Sequence, residues 1–249
     1  MKIAVCVSNV PDTATKIKIA QDRKSIDSTG VSFIINPYDE FAIEEALKTK
    51  EKFGGDSITY SLTVGDDSSK ETIRKVLALG VDEAILIKPD KPLDSLGIAK
   101  ALSEEIKSLG CEIVFFGKQS VDYDSGIVGQ LTAELLGYNC ITVVVDLKIE
   151  NDKVIAEREI EGGREIVESK LPIVITAQKG LNEPRYASLK GIMAAKKKNI
   201  IEKQFQSENL LEILEMNLPP AKQPGRIIGS DVSAVPELVR LLREEAKVI

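Results

Sequence analysis

The chain has 249 residues, 43% apolar and 29% charged, enough for one large domain with a buried core or one domain plus an arm. Its net charge of −6 argues against nucleic acid and anionic membrane surfaces as partners. It contains no histidine, which excludes a histidine-dependent triad, a histidine-ligated zinc site and a histidine general base.

The elements alternate from the start. Ile3–Val7 is a run of small and branched residues, as in a strand buried on both faces, and Cys6 lies near its end. Pro37–Phe53 has helical spacing, acids early and lysines late, and is stopped by Gly54-Gly55. Ser57–Val64 is a strand, Gly65–Ser68 a turn and Lys70–Leu79 a helix ended by Gly80. Glu83–Ile87, Ile113–Phe116 and Ile141–Val145 follow as strands, separated by helices at Pro92–Leu109 and Ile127–Leu136. Lys153–Ile160 and Arg164–Ser169 flank Gly162-Gly163 as a β-hairpin, and Leu171–Thr176 is one more strand. This order predicts an α/β fold: an open, mostly parallel sheet with helices on both faces, of the adenine-nucleotide-binding type, plus a β-hairpin and a C-terminal arm.

From about Gly180 no further strand–helix unit closes until a short amphipathic helix at Val235–Lys247. The tail is either a surface extension of the same domain or an arm that wraps a partner. Cys6, Cys111 and Cys140 are odd in number, far apart and set in apolar runs, so buried reduced thiols are expected, in a cytoplasmic compartment. No signal peptide is read at the start, and no apolar stretch approaches the ~20 residues that span a bilayer.

Three strand-to-helix turns could carry binding. Gly117-Lys118-Gln119-Ser120-Val121-Asp122-Tyr123-Asp124-Ser125-Gly126-Ile127-Val128 follows a strand and opens a helix, where free N–H groups suit a phosphate and Ser125 can cap. An empty capped turn explains the same spacing. Asn36-Pro37-Tyr38-Asp39 either touches an adenine ring or simply starts a helix. Gly65-Asp66-Asp67-Ser68 pairs two acids, which are more often solvated helix caps than magnesium ligands. No catalytic and no metal-ligating residue is assigned.

Leu181-Asn182-Glu183-Pro184-Arg185-Tyr186-Ala187-Ser188-Leu189-Lys190-Gly191-Ile192-Met193-Ala194-Ala195-Lys196-Lys197-Lys198 resembles the signature of electron transfer flavoprotein beta subunits. Asn36–Ala46, Glu71-Thr72-Ile73-Arg74, Ala78–Asp82, Gly117–Gln130 and Arg158–Gly163 resemble further segments of the same family. The resemblance implies a heterodimer with an alpha subunit that holds or shares the redox-active FAD. It implies an electron carrier, not an enzyme, that passes electrons from acyl-CoA or other dehydrogenases to a downstream acceptor. It places a structural AMP at Cys6, Asn36–Asp39, Val64 and Gly117–Val128. It makes Tyr186, Leu189, Ile192 and Met193 a dehydrogenase-recognition surface, and Glu159 the partner of an arginine on the alpha subunit. The implied division is a nucleotide-binding core over 1–180, a recognition loop over 181–200 and an arm wrapping the larger subunit over 201–249.

Asp122–Gln130 departs both from the loop of members that bind a second FAD and oxidise NADH, which usually reads Asp-Gly-Asp-Thr-Ala-Gln-Val-Gly-Pro, and from the AMP type, whose Asn-Gln-Thr is here Gly126-Ile127-Val128. Its closing Gly129-Gln130 favours AMP, with a second FAD, and thus an electron-bifurcating subunit, as the alternative. An unrelated ATP-binding α/β protein would need a Ser-Gly-Gly loop after the first strand, and Ser8-Asn9-Val10-Pro11 is not one.

Overall fold

The computed structural model describes residues 1–222 and 224–249. The elements run β1 (Lys2–Cys6), β2 (Asn9–Pro11), β3 (Phe33–Ile35), α1 (Pro37–Phe53), β4 (Ile58–Val64), α2 (Ser69–Leu79), β5 (Glu83–Pro89), α3 (Ser95–Leu109), β6 (Ile113–Gly117) and α4 (Val128–Leu136). They continue with β7 (Asn139–Glu150), β8 (Lys153–Ile160), β9 (Gly163–Lys170), β10 (Ile173–Ala177), α5 (Leu189–Lys197), β11 (Ile200–Phe205) and α6 (Val235–Glu244).

Among the described residues nine strands form one sheet in the order β11-β5-β4-β1-β6-β10-β7-β8-β9. Neighbours from β11 to β7 are parallel, and β8 and β9 extend the sheet as antiparallel strands. The chain steps from β1 outward through β4 to β5, then returns to lay β6 on the other side of β1. Right-handed crossovers in opposite directions put their helices on opposite faces. Ile3 and Val5 accordingly pack with Ala42, Ile43, Ala46 and Leu47 of α1, whereas Ala4 and Cys6 pack with Leu102 and Ile106 of α3 and Ala133 of α4. The reversal falls between β1 and β6, and sheets of this kind bind ligands at the carboxyl ends of the strands on either side of it.

The predicted α/β architecture is present, with some boundaries moved. The helix expected over Pro92–Leu109 starts at Ser95, because the Asp94 carboxylate accepts the Gly97 N–H at 2.8 Å and caps it. β7 is longer than expected, since it carries the hairpin β8–β9 beyond the core. Its edge exposes Cys140, so of the three thiols expected to be buried only Cys6 and Cys111 are.

The stretch after Gly180 does close one more helix–strand unit: α5 packs on α2, and β11 pairs in parallel with β5. Pairing with a strand more than a hundred residues away, through a segment exposed along most of its length, left no local pattern to read. Beyond β11, residues 206–222 form no helix or strand and lie against the start of α3 and the loop before β3. Asp94 accepts the N–H groups of Leu210 and Leu211 at 2.7 and 3.0 Å, and Arg23 and Lys24 pair with Glu215 and Glu212. Leu210, Leu211, Leu214 and Leu218 point outward, and α6 buries only Leu241.

Candidate functional site

The residues expected to line a nucleotide site converge on the carboxyl edge of the sheet. Cys6 ends β1, Val64 ends β4, Gly117 ends β6, and Asn36 precedes Pro37, Tyr38 and Asp39 at the start of α1. Cys6 and Val64 belong to one apolar cluster under the loop.

Two buried side chains organise this edge. Asp39 is 4% exposed; its carboxylate accepts the N–H of Ser8 at 2.7 Å, the Asn36 amide at 2.9 Å and the N–H of Gly117 at 3.1 Å. It thereby ties the segment leaving β1 to the end of β6. Burial pushes its carboxyl up to about 7, although the three donors pull it down. Asn36, also buried, donates to the Gln119 carbonyl at 2.9 Å and accepts the Val121 N–H at 3.1 Å. Asn36 and Asp39 therefore do more than start a helix: they hold Gly117–Val121, the first half of the loop that leads into α4, in place. The Cys6 thiol below is pushed well up by burial, and further by Asp39, so it stays protonated and unreactive.

The loop also folds on itself. Ser120 N–H reaches the Ser125 carbonyl at 3.0 Å, and the Gln119 amide reaches Asp124 at 3.1 Å, with Asp124 in a left-handed conformation. The Ser125 hydroxyl does not cap α4; it meets the Ser95 hydroxyl at 3.2 Å, linking the loop to α3. α4 opens with Ile127 at its cap position and no side-chain cap, so its first-turn N–H groups face out of the helix end at Val128. The Lys118 ammonium stands 4.9 Å from the centre of the Tyr38 ring, a cation–π contact at the loop entrance. Asp122 and Tyr123 lie exposed on the outer side.

Close packing fixes the far end. A Cβ on Gly129 would come within 2.9 Å of a Thr176 methyl, so α4 lies on the sheet at a distance only glycine allows. The acids of the neighbouring turn do not form a metal site: Asp66 accepts from Ser68 at 2.8 Å, and Asp67 pairs with Lys70 and Lys88. Among the described residues no cluster of potential metal ligands occurs.

The second group lies elsewhere. Tyr186, Leu189 and Met193 are 97%, 81% and 67% exposed, and Ile192 is also exposed, on and just before α5. The segment is nevertheless held at its base. Asn182 donates to the Phe41 carbonyl and to Glu45, and Arg185 grips the buried Glu44 at 2.7 Å and Glu51 at 2.6 Å. Ser188 caps α5 by accepting the Gly191 N–H at 3.0 Å. Glu159 sits on β8, across the sheet from the α5–β11 edge, and takes a hydrogen bond from Gln178 at 2.7 Å; the fold does not bring it to the α5 surface. The lysine triple divides: Lys196 and Lys197 are exposed, whereas Lys198 donates to the Val81 carbonyl at 2.6 Å.

The electron transfer flavoprotein domain model matches residues 24–207, which includes every predicted site residue except Cys6. The chain belongs to the electron transfer flavoprotein family, as a beta subunit. It is 41% identical to the electron transfer flavoprotein subunit beta of Bacillus subtilis, with all of both chains covered. It is 36% identical to the mitochondrial beta subunit of Oryza sativa subsp. japonica, again with both chains covered in full. With the Mus musculus beta subunit it shares 35% identity over 100% of this chain and 99% of that one. The electron-transfer role expected from the resemblance therefore holds. Among the described residues no helix is long and apolar enough to cross a membrane.

Several residues that build this electron transfer flavoprotein subunit were not read from the sequence. Glu44 and Glu45 looked like ordinary acids in the first half of a helix; they are buried and hold Asn182 and Arg185 in the segment before α5. Their one local signal is position, since Phe41, Glu44 and Glu45 share a helical face. Ser95 and Ser8 carried no signal, because each acts through contacts distant in sequence, and the local signal of Asp94 is only that of a helix cap, not of its hold on Leu210 and Leu211.

Proposed function

We propose that this beta subunit pairs with an alpha subunit carrying the redox-active FAD, holds one AMP in a structural role, and presents Leu189 to partner dehydrogenases. The docking part is carried by one observation: Leu189 and three apolar neighbours, Tyr186, Ile192 and Met193, stand in solvent on and just before a helix whose base is clamped by Arg185 and Asn182. Exposed aromatic and aliphatic anchors on a rigid base are what a partner pocket selects. The dehydrogenases are expected to be of the acyl-CoA class.

The donor set at the strand ends fits an adenylate. Ser125, Lys118 and the first-turn N–H groups of α4 supply hydrogen-bond donors and positive charge for one phosphate. Cys6, Val64 and the Asn36–Asp39 turn would border the base and sugar. AMP has no redox chemistry and would serve to hold the loop in shape. A second FAD at the same edge would make the heterodimer electron-bifurcating, with NADH as donor. That alternative rests on the same strand ends and on a loop that lacks the Asn-Gln-Thr of the AMP type. Glu159 would pair with an arginine of the alpha subunit, a weak exposed contact that suits a moving flavin domain. The division into core, recognition loop and arm is part of the same proposal, with the exposed leucines of 210–218 covered by the alpha subunit.

The test is direct. The purified heterodimer is denatured and its nucleotides identified: one FAD and one AMP are expected, and two FAD without AMP would overturn the carrier assignment. Leu189→Ala is expected to leave nucleotide content intact and to raise the KM for a reduced acyl-CoA dehydrogenase; an unchanged KM would remove Leu189 as the docking anchor.

A further inference from the structure

We propose that Arg74 is a positioning residue for electron transfer: reaching from α2, it closes the C-terminal end of α5 and so fixes the orientation in which Leu189 meets a partner. The proposal rests on the docking role of Leu189 given above.

α5 has nine residues, too few to hold a helical shape without support. Its inner side supplies that support from α2. Ala195 is buried against Ile73, Leu77 and Leu86. A Cβ on Gly191 would lie 2.3 Å from the Ala78 carbonyl oxygen, so the two backbones meet at a distance only glycine permits.

The last carbonyls of a helix lack partners within it and carry the negative end of its dipole. Arg74 meets both needs. Its Nη1 donates to the Ala195 carbonyl at 2.7 Å and to the carbonyl of Lys198, the cap residue. The same guanidinium thus holds the last turn and the turn that leads into β11, a use of its donors that a lysine ammonium would only partly reproduce. With Arg185 holding the entrance and Arg74 the exit, the helix carrying Leu189 is fixed at both ends. A pre-ordered anchor loses less freedom on docking, so its value appears in complex formation and not in the flavin chemistry.

The test uses the heterodimer, with Arg74→Gln, Arg74→Lys, Leu189→Ala and the Arg74→Gln/Leu189→Ala double variant. Two readouts are amide hydrogen exchange and steady-state reduction by an acyl-CoA dehydrogenase supplied with octanoyl-CoA. Arg74→Gln is expected to speed exchange in Ile192–Lys198 by about tenfold, with the core strands unchanged. It should raise the KM for the dehydrogenase several-fold at constant kcat and an unchanged flavin spectrum. Arg74→Lys should fall between, and the double variant should be no worse than Leu189→Ala alone. Unchanged exchange, or an Arg74→Gln penalty of equal size with and without Leu189, would overturn the positioning role while leaving docking through Leu189 intact. A Leu189→Ala variant with unaltered KM would overturn both.

Discussion

The Asp39 carboxylate and the backbone of Gly117 occupy each other's space: Asp39 accepts the Gly117 N–H at 3.1 Å, and a Cβ on Gly117 would lie 2.3 Å from Asp39 Oδ1 and 2.7 Å from the Tyr38 carbonyl carbon. The space that a side chain would fill at the end of β6 is taken by the start of α1. Gly117→Ala is therefore expected to displace the Asn36–Asp39 turn and to destabilise the subunit by about 2–3 kcal/mol, the cost of overpacking a tight site. Urea unfolding measures the loss. The content of the proposed AMP should fall with it, since the same turn holds Gln119 and Val121.

Asp39 also sets a pH dependence. Its carboxyl lies at about 7 in the folded chain against an ordinary 3.8, so the folded state binds its proton more tightly than the unfolded state does. The associated stability is present in full below pH ~4, declines as pH rises, and is lost once pH passes ~7. Asp39→Asn cannot titrate, and it also turns an amide N–H₂ toward donors that Asp39 accepted. Thermal melts should show a lower Tm for the variant throughout, with a shallower fall between about pH 4 and pH 7 than the wild type shows.

Asp94 performs two tasks with one carboxylate. Oδ1 caps α3 through Gly97, and Oδ2 holds the arm through Leu210 and Leu211. Asp94→Ala should cost about 1 kcal/mol for the cap. The arm should loosen as well, so limited proteolysis of the isolated subunit is expected to cut within 207–222 faster than in the wild type. A variant that destroys only a cap at another helix should not change that rate.

Arg185 leaves a buried acid behind when removed. The Glu44 side chain is 7% exposed and the Arg185 side chain 34%, so the pair is only partly screened by water. Arg185→Ala should cost about 2 kcal/mol in denaturant unfolding, chiefly from the uncompensated Glu44 carboxylate. Adding Glu44→Gln should restore part of that loss. If the two single costs simply add, the pair does not act as a unit.

How much of this was legible in the sequence depended on the range of the interaction. α1 spans the residues predicted, Pro37–Phe53, because a proline at its first turn and a glycine at its end are local signals. β8 was likewise read in full, since its partner β9 is joined to it by the turn at Gly162. The two sets of candidate residues were proposed from sequence, by their place after strands and by family resemblance, and the fold places the first set at the strand ends and the second around α5. β2, β3 and β11 were missed for opposite reasons. The first two are three residues long, and β11 borrows its hydrogen bonds from an edge strand while staying exposed.

By itself, then, the amino-acid sequence determined the alternation of elements, the parallel sheet, the absence of histidine chemistry and the family, because each is written in neighbouring residues. Only the tertiary structure decided what Asn36, Asp39, Arg74, Glu44 and Asp94 do. Each carries a charge or amide that local rules assign to a helix end or a solvated face. Each is committed, beyond any such local role, to partners brought near by the crossing of chain segments. A polar group's role depends on which partners remain once water is excluded, and that is settled by packing, not by sequence neighbours.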